Sequence, residues 1–123
     1  MPQLGEHLRA AQANQELASV LTSLPGGISW SPVVSFYAAL HLVDAYLATL
    51  GVHPVSHVAR RAVIRRTESL EPVLDDYRTL EALSREARYD LRQFSQAEAS
   101  SLMTGELARV SDAIRSLLGP GIP

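Results

Sequence analysis

Polar side chains are few between Val33 and Leu50, and Tyr37, His41 and Asp44 stand at i, i+4 and i+7 within that apolar stretch. On a helix this spacing puts a phenol, an imidazole and a carboxylate on one stripe. A buried polar group left unpaired costs on the order of 1–3 kcal/mol, so the stripe must face partners, water or another subunit. Two readings follow. The three groups form a hydrogen-bonded network that fixes the register of the helix, or they make one wall of a polar cleft. Ser35 lies on the same segment but on a different side from His41 and Asp44, so no serine–histidine–aspartate relay is expected.

Arg60, Arg61, Arg65 and Arg66 place four positive charges within seven residues. They read as the exposed side of a helix balanced by Glu68, Glu71, Asp75 and Asp76, or as a contact for an anion or an RNA backbone. His53 and His57 have the four-residue spacing of helical metal ligands. Pro54 and a cap at Ser56 keep His53 outside the helix, so that geometry fails and no metal site is expected. There is no glycine-rich phosphate loop, Gly26-Gly27 reads as a turn, and no cofactor motif is present.

The elements that position these groups are helices. Leu4, Leu8, Ala11, Ala18 and Leu21 recur at helical spacing, with Leu17 and Leu24 widening the stripe until Pro25-Gly26-Gly27 breaks it. Ser31-Pro32 reads as an N-cap followed by a first-turn proline, and Gly51 suits the left-handed position after the helix end. Ser56 caps a third helix, which Pro72 restarts or kinks; Leu70, Val73, Leu74, Tyr77, Leu80 and Ala87 continue its apolar stripe. Ser95 with Glu98 forms a capping box for a last helix that buries Ala99, Met103, Leu107, Val110, Ile114 and Leu117 and stops at Gly119-Pro120. No stretch alternates with period two, and the links are short. The expected fold is therefore all-α, an up-and-down bundle of four to five helices. One domain over residues 1–123 is expected, with 118–123 as a flexible tail.

Composition sets the bounds. At 123 residues the chain fits one domain able to bury roughly two-thirds of its unfolded surface. Without cysteine there are no disulfides or thiolate metal sites, and the compartment is most simply cytoplasmic. The N-terminus MPQLGEHLRA has no basic region followed by an apolar one, and no run of about 18 apolar residues is present, so neither signal peptide nor membrane contact is expected. All 11 basic residues are Arg, which codon bias in a GC-rich genome explains more simply than selection for bidentate contacts. The net charge of −2 means that any nucleic-acid site is local.

The run WSPVVSFYAALHLVDAYLATLGVHPVSH resembles a group of small bacterial proteins of the HEPN (higher-eukaryote and prokaryote nucleotide-binding) superfamily, through Phe36, Tyr37, Ala38, His41, Ala45, Leu47, Gly51, Ser56 and His57. SREARYD, Ser84 to Asp90, is a counterpart of a basic and polar-Tyr element in that group, and Ala10, Asn14 and Leu17 fit its first helix. The resemblance covers roughly residues 8 to 115. It implies a HEPN-like all-α bundle that pairs as a homodimer. The superfamily holds metal-independent ribonucleases, often toxins, and non-catalytic relatives that bind nucleotide, RNA or protein. Small bacterial members are frequently partnered by a minimal nucleotidyltransferase in toxin–antitoxin settings.

Active members carry an Arg followed after roughly four to six residues by His, the imidazole acting as acid or base and the guanidinium holding phosphate. Here the last histidine is His57, every arginine except Arg9 follows it, and no pair has that spacing. The resemblance therefore implies binding without turnover. It places the second helix beside the segment after the third, so Tyr37, His41, His57, Arg60, Arg85, Arg88 and Tyr89 are the candidate nucleotide- or RNA-binding residues, with no catalytic residue, metal or cofactor. The alternatives are a ribonuclease with a non-standard site drawn from Tyr37, His41, His57, Arg85 and Arg88, and a plain protein-interaction domain.

Overall fold

Residues 31–49 are apolar on nearly every side, and a helix of that kind is stable only when other elements surround it. In the computed structural model, which describes residues 1–120, this segment is the central helix α2 (Ser31–Thr49). Around it lie α1 (Leu4–Leu21), α3 (His57–Arg66), α4 (Glu71–Tyr89), α5 (Gln96–Leu102) and α6 (Ala108–Leu118). A π-helical turn, Met103–Leu107, joins α5 and α6 into one rod, giving a small up-and-down bundle of five rods with no strand among the described residues. Helices α1, α4, α5 and α6 pack on α2, and a single contiguous core runs from Leu8 to Ile114. Residues 28–49 pass the length and hydropathy test for a membrane span, but 72% of their most apolar window is buried inside the fold. Their hydropathy is that of a core helix.

The helix ends show local chemistry at work. Val52 N donates to Leu47 O at 3.0 Å and Gly51 N to Ala48 O at 3.1 Å, with Gly51 at φ +72°, so the expected left-handed stop of α2 is a complete Schellman turn. The Ser56 hydroxyl accepts from Ala59 N at 3.0 Å to open α3, and Ser95 with Glu98 makes the expected capping box of α5. Pro72 marks a restart: Thr67 is extended and α4 begins at Glu71, with the proline in its first turn.

Ser31 departs from expectation. It is the first, buried residue of α2, and its hydroxyl donates to Ala18 O at 3.0 Å, tying α2 to α1 instead of capping its own helix. Helix α1 ends at Leu21, three residues short of Leu24. Leu17 and Leu24 are about half exposed because α1 buries only the narrow face of His7, Leu8, Ala11 and Ala18. Leu117 is likewise exposed and Met103 only half-buried, since α6 turns Val110 and Ile114 inward. Ala87 is half-buried, near the end of α4. Leu118, assigned to the tail, is helical and packs on the core; of that tail, residues 121–123 lie outside the described residues.

Candidate functional site

Each member of the α2 stripe finds its partner on a different element. Asp44 is met by Arg60 of α3 in a bidentate pair, Nε to Oδ1 at 2.8 Å and Nη2 to Oδ2 at 3.0 Å, both side chains 8% exposed. Arg60 Nη2 also reaches Pro54 O at 3.4 Å. Burial works against the guanidinium charge, and the Asp44 hydrogen bonds more than offset it, so the Arg60 pKa is raised. Arg60 was expected on the exposed face of α3. It is buried because the first turn of α3 docks over α2, where an unpaired Asp44 would be costly.

His41 meets His7 of α1, Nδ1 to Nδ1 at 3.1 Å. Burial is the largest influence on both imidazoles and holds each below the ordinary 6.5; Asp44 opposes the shift in both. These two histidines, Asp44 and Arg60 line a cavity of about 390 Å³ together with His53 and Pro54.

Tyr37, one turn before His41, turns toward α4. Its hydroxyl accepts from Arg88 Nη1 at 3.2 Å, and Arg88 Nε donates to Ser84 O at 3.3 Å. The Arg88 guanidinium carbon lies 5.8 Å from the Tyr37 ring centre and 5.1 Å from that of Tyr89, which is 73% exposed. His57 packs on Phe36 and Tyr37 at 5.7 and 6.2 Å between ring centres. Its Nδ1 is buried without a hydrogen-bond partner, and burial, then Arg60, lowers its pKa.

The candidate residues therefore divide. Tyr37, His57, Arg88 and Tyr89 come together at the C-terminal end of α4. His41 and Arg60 belong to the histidine-lined cavity. Arg85 is exposed on α4 and makes no hydrogen bond or ion pair among the described residues. His53 and His57 are split between the two places, and no group of three or more metal-ligating side chains is assembled among the described residues. None of Glu68, Glu71, Asp75 and Asp76 pairs with the α3 arginines: Arg61 binds buried Glu81 at 2.8 Å, while Asp76 binds Arg109 at 2.9 and 3.0 Å.

Sequence reasoning passed over His7 and Glu81, and named Ser84 only as the start of the SREARYD element. His7 stands four residues before Ala11, on the buried stripe of α1. Tyr77, Glu81, Ser84 and Arg88 repeat at i, i+4, i+7 and i+11, a polar seam on α4 facing the one on α2. Ser84 Oγ is buried there without a partner, and the buried Tyr77 hydroxyl lies close to the Arg60 guanidinium without a well-aligned hydrogen bond. The periodicity that identified Tyr37, His41 and Asp44 would have found them. No protein-family model matches this sequence, and no curated protein matches it significantly.

Proposed function

We propose that this chain is a HEPN-type binding module without turnover, which takes the phosphate of a nucleotide or of an RNA backbone at the C-terminal end of α4. Arg88 carries this reading. Among the arginines that are not exposed, Arg60 is neutralised by Asp44, Arg61 by Glu81 and Arg92 by Glu86 and Glu98, and Arg115 is also engaged with a neighbour. Half-buried Arg88 is held only by neutral oxygens, those of Tyr37 and Ser84, and forms no ion pair among the described residues. Its charge stays available for an anion. Exposed Tyr89 beside it offers a face on which a base can stack, and Arg85 adds a second positive charge. The all-helical bundle is also the architecture that the HEPN resemblance implies.

A cation in the last turn of a helix also offsets the helix dipole, so the competing account of Arg88 is purely structural. Replacing Arg85 and Arg88 with Ala separates the two. The reading expects loss of binding to labelled single-stranded RNA with an unchanged melting temperature; loss of the fold would make the arginines structural. The homodimer and a nucleotidyltransferase partner belong to the same proposal. The α2 stripe finds its partners within one chain, so the dimer rests on the resemblance, and light scattering at tens of micromolar checks it.

One observation favours the ribonuclease reading as runner-up: His57 and Arg88, far apart in sequence, both lie against Tyr37. An imidazole kept neutral by burial is a competent base. Cleavage of labelled RNA that His57→Ala abolishes would establish that reading in place of the first.

A further inference from the structure

Between α3 and α4 lies a cavity of about 160 Å³ lined by Arg61, Ile64, Arg65, Leu74, Tyr77 and Arg78. Three guanidinium groups at one small opening repel one another unless carboxylates or a bound anion compensate them. The compensation within the chain is partial: Glu81 neutralises Arg61, and two charges remain. Arg61 gives Nη1 to Glu81, whereas Arg65 and Arg78 are exposed and form no ion pair among the described residues. Asp76, two residues before Arg78, has both oxygens on Arg109 and is turned away. The floor is apolar: Ile64 and the Tyr77 ring are buried and Leu74 is half-buried, so a charge seated there is shielded from water on one side.

We propose that Arg65 and Arg78, beside the Glu81-paired Arg61, form a second anion pocket, which takes a tetrahedral oxyanion: a phosphate group, either free or at the end of a larger molecule. Size decides the class. Pockets for whole small molecules span roughly 300–1,000 Å³, so a cavity this small takes a group and leaves the rest of any carrier outside. Guanidinium forks pair with the oxygens of a phosphate or a carboxylate and not with chloride, and two or more forks around one cavity suit the three or four oxygens of a phosphate better than the two of a carboxylate. The pocket uses none of the residues around Arg88, and it stands whether or not the Tyr89 surface binds nucleic acid.

Calorimetric titration of the full chain with inorganic phosphate at low ionic strength tests it. Saturable binding is expected, weakened about tenfold or more in the Arg65→Ala/Arg78→Ala variant. Both side chains are exposed, so that variant should keep its circular dichroism spectrum and melting temperature. The end of α4 is itself a proposed phosphate site, so the titrations are repeated on an Arg88→Ala background, where saturable phosphate binding should persist and Arg65→Ala/Arg78→Ala should still weaken it. On the Arg88→Ala background, adenosine and adenosine 5′-monophosphate distinguish the sources: equal affinity for phosphate and the monophosphate marks a free-anion site, tighter binding of the monophosphate marks a terminal phosphate, and adenosine should bind in neither case. No heat from phosphate with wild-type protein would overturn the proposal. So would unchanged affinity in the double variant, or loss of phosphate binding in Arg88→Ala alone.

Discussion

The Nδ1 atoms of His7 and His41 face each other at 3.1 Å, with ring centres 5.4 Å apart. The nitrogens thus lie near the line joining the rings, one donating its proton to the lone pair of the other. A first added proton keeps that N–H···N contact. A second sets two N–H bonds against each other and breaks this one hydrogen bond between α1 and α2. The charged and titratable groups facing the pair are Asp44, Arg60, His53 and Glu6, and burial outweighs the help from Asp44 and Glu6.

The pH dependence follows in sign. His7, His41 and His57 all titrate below 6.5 in the folded chain, with burial the largest cause in each. Well above that value they are neutral in both states and contribute no slope. Below it the unfolded chain binds protons that the folded chain refuses, so stability falls until the folded values are passed. Melting temperatures measured from pH 7.5 down to 5.5 should therefore decline, and His41→Gln should flatten the decline. An equal slope in that variant would assign the effect to other groups.

Asp44→Ala or Arg60→Ala leaves its partner buried and uncompensated, and each should destabilise the fold by about 3–5 kcal/mol in urea denaturation. A joint replacement, Asp44→Leu with Arg60→Met, should cost far less than the sum of the single changes. Additive losses would mean that the pair is not coupled.

Gly51 sits at φ +72° with open space where a Cβ would go. Gly51→Ala should thus cost about 1–2 kcal/mol through backbone conformation alone, with no steric clash. A neutral result would show that the Schellman turn relaxes.

How far the sequence could be read depended on whether a feature was local. The caps at Ser56 and Ser95, the stop at Gly51 and the central burial of α2 are set by neighbouring residues, and they were legible. Arg60 was not, because its burial depends on how α3 lies across α2, a tertiary fact that no run of charges within α3 reveals. The candidate site was half legible for the same reason. Tyr37 and Arg88 are 51 positions apart and meet only through packing of α2 on α4. His41 points to an unanticipated partner on α1, and Arg85, three residues before Arg88, makes no hydrogen bond or ion pair among the described residues.

Tyr37→Phe removes the hydroxyl that holds Arg88 and leaves the ring in place. RNA affinity should fall a few-fold with the melting temperature lowered by no more than about 4 °C, since a net hydrogen bond of this kind contributes about 1 kcal/mol. A large drop in melting temperature with unaltered binding would make the contact structural.

The most direct test of the account is the salt dependence of RNA binding. Fluorescence anisotropy of a labelled single-stranded RNA, titrated between about 50 and 200 mM salt, should give a log–log slope near −1.4 if Arg85 and Arg88 each neutralise one phosphate at about 0.7 per contact. Arg85→Ala/Arg88→Ala should abolish the binding, and the wild-type protein should leave the RNA intact for hours. No binding at the lowest salt, or a double variant that binds with the wild-type slope, would contradict the claim that the end of α4 is a phosphate-binding surface.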